Sequence, residues 1–336
     1  MTSSSTFRKR SGNGPVFQSD DDLKQTRQVL AVARLYHIHH VRQSDIAKQL
    51  GISQAGVSRL LKLAEDGEIV RTIVLSPEGM FPDLEDGLSR KYGLAKVAVV
   101  ETGNNEDDIP RALGTYAANM LSGDFKGEIV GFTSWSVTLR EMARLMPIEV
   151  NSPVTHVVEM LGDLGSPALQ HEATLATSQL SYALTADPVF LRTPGVARSS
   201  SIRAMSLTDV YVRRAMEMFD RIDVAMIGVG PADFHGPLEE HDNFFKSEQL
   251  AEIRTQGAVG QILQRFIDSE GRPIKTPLDD LVVGVSLDQI RKAGHRMLIA
   301  GGSSKHESIA AALAGKWIDT LVTDVGVAKY LLNRTS

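Results

Sequence analysis

The sequence predicts an α/β protein in two parts: a small winged helix-turn-helix module, then a larger doubly wound α/β domain. Three observations predict this. Short helical patterns before residue 67 are broken at Gly51 and restarted by Ser53. From about Leu84 onward, β-rich apolar runs alternate with helical stretches, the pattern of a largely parallel sheet covered by helices on both faces. The 336-residue length suits two domains at roughly 100–200 residues each.

Composition narrows the classes further. Apolar residues make up 42% and charged residues 23%, so the chain can fill a sizeable core and wholesale disorder is excluded. Cys is absent, which excludes disulfides, thiolate metal sites, iron–sulfur clusters and a Cys nucleophile. No apolar run approaches the roughly 18 residues of a membrane span, and no apolar segment follows Arg8, Lys9 and Arg10. A cytoplasmic protein without a membrane partner is expected. Charge is uneven: residues 1–75 carry a net +4 and residues 76–336 a net -9, within a total of -5. That polarity is a slight pointer to nucleic-acid contact by the first part.

Residues 1–20 are Ser-, Gly- and Asn-rich and are expected to be a disordered arm. Residues 21–75 form the first domain. Asp20, Asp21 and Asp22 suit a helix start, and the apolar pattern continues to about Ile38. A second helix covers Gln43 to Leu50. Gly51 breaks it, Ser53 caps a third, and Val57, Leu60, Leu61 and Ala64 give that helix an inner face. Ile69 to Val74 alternates like a short strand, the expected wing. Residues 76–84, with Pro77, Gly79 and Pro82, read as linker, and 85–336 as the second domain.

In that domain, strands are expected at Val97–Val100, Glu128–Phe132, Thr155–Met160, Val189–Leu191, Val224–Val229, Val282–Gly284, Met297–Ile299 and Thr320–Val322. Helices are expected at Pro110–Leu121, Thr138–Met146, His171–Leu184, Thr208–Arg221, Glu248–Gln256, Leu287–Ala293, Ser308–Leu313 and Gly326–Leu332. Sheets of this kind bind ligands beyond their C-terminal strand ends.

The segment Gln43 to Lys62 has helix-turn-helix form. Ala47 is small where two helices cross, Gly51 permits the turn, and Ile46, Leu50, Ile52, Val57 and Leu61 supply a core. Gln54, Ala55, Ser58, Arg59 and Lys62 remain for the outer face of the third helix, with Ser53 at its start. Gln pairs with adenine and Arg with guanine or phosphate in a major groove, while Gln43 and Ser44 fall near the backbone. Operator DNA is the expected partner, although Gly56 inside the reading helix costs about 1 kcal/mol against Ala.

Arg34-Leu35-Tyr36, the helix-turn-helix through Ser58-Arg59-Leu60-Leu61 and Gly67-Glu68-Ile69-Val70 resemble the SorC family of bacterial sugar-responsive transcription regulators. The resemblance continues through Met226 to Pro231, Gly257-Ala258-Val259-Gly260, Phe266-Ile267-Asp268, Ala300-Gly301-Gly302, Lys305 and Leu321-Val322-Thr323-Asp324, covering residues 25–333. It implies a second domain related in fold to sugar-phosphate isomerases and deaminases, used for sensing an effector, and assembly into dimers or tetramers. It implies no cofactor.

Gly131 to Leu139 follows a strand, opens a helix and offers Ser134, Ser136 and Thr138 near unpaired helix-start amides, a candidate phosphate cradle. Ser136 stands at a family glycine position and Val137 at a polar one. Lys305 follows a Gly/Ser turn, and the resemblance implies ligand contact there. Gln261 replaces the Asp or Glu usual in relatives, and Gln170 falls in a region that contacts ligand in them. His37, His39 and His40 suit a polar helix terminus rather than a metal site, since zinc needs four converging ligands. The rival reading is an isomerase-like enzyme with Asp163, Asp233, His235 and Glu307 as acid–base candidates, but their spacing fixes no chemistry and no catalytic residue is assigned.

Overall fold

A computed structural model describes residues 20–70, 77–103, 105–123, 125–232, 238 and 241–334, with side chains from residue 23 onward. The expected arm, most of the wing and the start of the linker lie outside the described residues. The chain divides into two compact units, residues 1–75 and 76–336.

In the first unit, α1 (Asp20–Ala33) runs into a π-helical turn, Arg34–Ile38, before α2 (Gln43–Leu50) and α3 (Gln54–Asp66). Gly51 ends α2 at φ 66°, a left-handed conformation that costs a residue without Cβ little. Ser53 starts α3 by accepting the Gly56 N–H at 3.1 Å, as its residue type predicts. Apolar spacing then closes the bundle: Val32, Ile46 and Val57 are fully buried, and Leu61 packs with them. A second contact joins Val29 and Ala33 to Ala64. Ile69 and Val70 form a bend that packs beside this contact.

The second unit opens with α4 (Pro82–Tyr92), where the linker was expected to end. Pro82 stands in the first turn, Asp83 and Glu85 follow it, and Gly93 closes the helix in the left-handed region. The chain then alternates through β1 (Lys96–Val100), α5 (Ile109–Leu121), β2 (Ile129–Phe132), α6 (Val137–Leu145), β3 (His156–Glu159), α7 (Pro167–Ala183) and β4 (Asp187–Val189). It continues with α8 (Ser200–Ser206), α9 (Val210–Glu217), β5 (Val224–Ile227), β6 (Val229–Pro231), α10 (Ser247–Thr255), β7 (Gly260–Ile262) and β8 (Arg265–Ile267). Last come α11 (Leu287–Lys292), β9 (His295–Ile299), α12 (His306–Ala314), β10 (Thr320–Asp324) and α13 (Val325–Asn333).

Seven strands form one parallel sheet in the order β1-β10-β9-β5-β2-β3-β4. Alternation along β5 shows why both faces need helices. Val224 and Met226 pack with Leu113, Leu139 and Leu180 of α5, α6 and α7, whereas Ala225 and Ile227 pack with the opposite core. From β2 the chain moves outward through β3 and β4, then returns to β5 on the other side of β2. The order therefore reverses between β2 and β5, and the C-terminal ends of these strands are where sheets of this kind form a ligand crevice.

A small antiparallel sheet, β6-β7-β8, had not been expected. Its two-residue turn places Leu263 at φ 48° and Gln264 at φ 64°, as a tight hairpin requires. The expected strand Val282–Gly284 instead makes two isolated bridges, to Val196 and Leu161, that tie loops together. The helix expected from His171 starts earlier, at Pro167, and the one expected over Thr208–Arg221 is α9 followed by a 3-10 turn. Among the described residues, no helix is long and apolar enough to cross a membrane.

Candidate functional site

In the first unit, Gln54, Ala55, Ser58, Arg59 and Lys62 are all exposed. Helical geometry of 3.6 residues per turn spreads them over an arc of roughly 140°, distinct from the arc of Val57, Leu61 and Ala64. Arg59 Nε donates to the Ala55 carbonyl at 3.3 Å, which steadies the side chain along this face. Ser53 is exposed, but its hydroxyl is engaged as the helix cap. Ser44 is exposed and Gln43 half-buried, both in the first turn of α2. These residues form one outward helix face and the start of its neighbour, the parts a major-groove reader needs.

In the second unit, the crevice at the strand-order reversal is built around Gly228-Val229-Gly230. The Thr133 hydroxyl donates to the Met226 carbonyl at 2.7 Å and ties the end of β2 to β5. A Cβ at Gly228 would come within 2.9 Å of Thr133 Cγ2 and 3.7 Å of Ser136 Cβ, so glycine lets the cradle loop settle on this strip. Ser134 and Thr138 are buried, and Ser136 is half-buried. Ser136 caps α6, its hydroxyl accepting the Leu139 N–H at 3.4 Å. Val137 and Thr138 follow with the unsatisfied amides of a helix start. Trp135 Nε1 is buried in this loop with no hydrogen-bond partner.

Two residues along the strip, Gly230 pairs with Gln261 across β6 and β7. A Cβ at Gly230 would lie 2.9 Å from Gln261 Nε2, so the amide nitrogen rests over the strip. Gln261 Oε1 accepts the Gln264 N–H at 2.7 Å and pins the hairpin turn. The Ser303–Lys305 turn packs on β6, and α12 packs on β6 and β7. Gly260 makes the last approach possible, since a Cβ there would stand 2.7 Å from Ser308 Cβ. Asp324 holds the loop from below by accepting the Gly302 N–H at 2.8 Å. Lys305 is half-buried, its ammonium has no hydrogen-bond or ion-pair partner among the described residues, and burial pushes its pKa down.

Gln170 stands near the start of α7. Its Nε2 donates to the Gly165 carbonyl at 3.0 Å, an oxygen that Asn243 Nδ2 also reaches at 3.1 Å. Its amide thus steadies the turn before α7. The acid–base candidates are similarly engaged. Asp163 pairs with Arg192 at 2.9 Å; burial pushes its pKa up and Arg192 opposes that. Glu307 binds Tyr330 and Arg334. Asp233 and His235 lie outside the described residues. No metal-binding group of three His, Asp or Glu occurs among the described residues. Sequence reasoning missed Trp135 and the glycine pair Gly228 and Gly230. Their signal was two glycines at alternate positions directly after a buried strand.

Comparison with known proteins fits both halves. A family model described as "Putative sugar-binding domain" matches residues 78–333. The deoxyribonucleoside regulator of Bacillus subtilis is 30% identical over 93% of this chain and 99% of its own length. The sorbitol operon regulator of Klebsiella pneumoniae is 26% identical, over 94% of this chain and 99% of its own. The crystal structure of the full-length K. pneumoniae sorbitol operon regulator SorC superposes with a TM-score of 0.71, covering 94% of this chain and 100% of that one. A helix-turn-helix unit joined to a sugar-binding domain, matched over nearly its whole length, makes this chain a member of the SorC family of sugar-responsive transcriptional regulators, and a regulator rather than an enzyme.

Proposed function

We propose that the chain is a cytoplasmic regulator of a carbohydrate or polyol catabolic operon, and that a phosphorylated sugar held in the second unit alters its grip on operator DNA. One observation carries the effector reading: the cradle loop, Gln261 and the Lys305 turn all meet the Gly228–Gly230 strip at the strand-order reversal. The phosphate lies against residues 134–138, where helix-start amides favour an anion, and the remaining sugar groups face Gln261 and Lys305. Effector binding changes DNA affinity by being tighter in one arrangement of the protein than in the other. Calorimetric titration with the phosphorylated and free forms of one sugar tests the phosphate. Equal affinities would sink it.

The regulator acts as a dimer or tetramer, because one reading helix makes too few base contacts for useful specificity. Removing residues 1–75 is expected to leave an oligomer that no longer binds DNA, measured by light scattering and a gel-shift assay. A monomeric full-length protein with full operator affinity overturns this.

Within the reading helix, Arg59→Ala and Gln54→Ala are each expected to weaken specific binding by ~1–3 kcal/mol, the worth of a bidentate base contact. Lys62→Ala is expected to weaken all sequences alike and to flatten the salt dependence. Unchanged operator preference in Gln54→Ala would show that the helix docks in another orientation.

A further inference from the structure

Among the described residues, the Lys305 and Gln261 end of the crevice presents donors that lack partners, and this bears on the class of effector. Three side-chain donors on the elements around the Gly228–Gly230 strip have no partner among the described residues: Lys305 Nζ, Gln261 Nε2 and Trp135 Nε1. One lone pair of Gln261 Oε1 is taken by the Gln264 N–H, whereas its Nε2 has no partner among the described residues. Three carboxylates in and beside the Lys305 loop already accept hydrogen bonds within the chain. Glu106 accepts from Ser303, Glu307 from Tyr330 and Arg334, and Asp324 from the N–H groups of Gly302 and Val327.

A polyol hydroxyl carries a proton as well as lone pairs. Once desolvated it needs an acceptor for that proton, which neither the Lys305 ammonium nor the Gln261 amide N–H supplies. A carboxylate only accepts. Opposite an ammonium and an amide N–H it forms charge-assisted hydrogen bonds and neutralises the lysine that burial disfavours.

We propose that the effector is a sugar acid, its carboxylate set against Lys305 and Gln261 and its far end against the 134–138 loop. This rests on the effector reading above and names the ligand class within it. The ligand is an aldonate, phosphorylated at the end away from the carboxylate.

The test uses full-length protein and calorimetric titration with matched pairs, a phosphorylated aldonate and the phosphorylated alditol of the same carbon number, from four to six carbons. Unphosphorylated aldonates form a third arm. The aldonate phosphate is expected to bind at least ~10-fold more tightly than its alditol partner, the worth of one charge-assisted hydrogen bond. Gln261→Glu retains an oxygen for the Gln264 N–H, so its ligand-free melting temperature should match the parent's. It should reverse the preference. An alditol phosphate that binds as tightly as the aldonate phosphate overturns the sugar-acid assignment and leaves the sugar-phosphate reading standing. Binding by unphosphorylated aldonates alone overturns the phosphate and supports the carboxylate. No binding in any arm overturns both.

Discussion

Lys305→Ala is expected to abolish the effector's influence on operator binding while leaving ligand-free operator binding close to that of the parent. The lysine has no partner among the described residues, so its loss removes little from the ligand-free fold. It would leave an anionic group of the ligand desolvated and unpaired, which costs ~2–5 kcal/mol when one member of a buried charge pair is truncated. At effector concentrations that saturate the parent, the variant should remain in its unliganded state. Operator titrations with and without effector measure this directly, and a variant that still responds at parental concentrations would remove Lys305 from the site. The sign of the pH dependence follows from burial, which pushes the lysine pKa down. An anion favours the protonated form, so binding takes up a proton once the pH exceeds the depressed value. Effector affinity should therefore fall as pH rises, and should begin to fall below the usual lysine range.

Trp317→Ala is expected to destabilise the second unit by ~3–5 kcal/mol, the usual penalty for deleting a buried large aromatic side chain. Trp317 is fully buried, its Nε1 donates to the Gly271 carbonyl at 2.7 Å, and the Arg291 guanidinium lies 3.7 Å from the ring centroid. Alanine opens a cavity directly after α12, the helix that carries the Lys305 loop against β6. Urea unfolding of the second unit measures the loss. Trp317→Phe keeps part of the volume but leaves a smaller cavity and takes the donor from the Gly271 carbonyl, for an expected ~1–3 kcal/mol, less than alanine. A destabilisation by alanine of less than ~1.5 kcal/mol would mean that the site collapses around the smaller residue.

The buried parallel strands were legible because each holds a short apolar run flanked by helical spacing; β2, β5, β9 and β10 fall where such runs stand. The helix-turn-helix was legible for a different reason. Gly51 and Ser53 mark the turn chemically, so α2 falls at the expected bounds. Helix α4 was misread because Pro82 looks like a linker residue, although proline in a first turn is favourable and the acidic start and basic end fit a helix. The β6-β7-β8 sheet escaped because its strands are three residues long, too few to show a period. Its turn also uses Leu263 and Gln264 where Gly or Asn would have announced it. Val282–Gly284 has the composition of a strand but the neighbours of a loop clasp.

At the site, the hydroxyl-rich helix start was visible as a cap signal, and Ser136 caps α6. The close approach of Ser136 to Gly228, and of Gln261 to Gly230, depends on tertiary packing that no local pattern encodes. Nor could spacing reveal that Gln170 serves the Gly165 turn, because that depends on a carbonyl five residues upstream folding back.

The hairpin that holds Gln261 also bears on how such a regulator diverges. The oxygen of this side chain belongs to the scaffold, since it fixes a turn of two left-handed residues without glycine, and the nitrogen half rests over the strip. Residues without a terminal oxygen at 261 would strip the turn of its clasp and be purged for instability before their ligand preference was ever tested. Glutamate keeps the clasp and reverses the polarity of the exposed half, and one base change in a glutamine codon produces it. On the proposed site, selection on ligand class would be channelled through this single substitution, which keeps an oxygen for the Gln264 N–H. If Gln261 meets the effector as proposed, a duplicated copy of this regulator can change its inducer in one mutational step without passing through an unfolded intermediate.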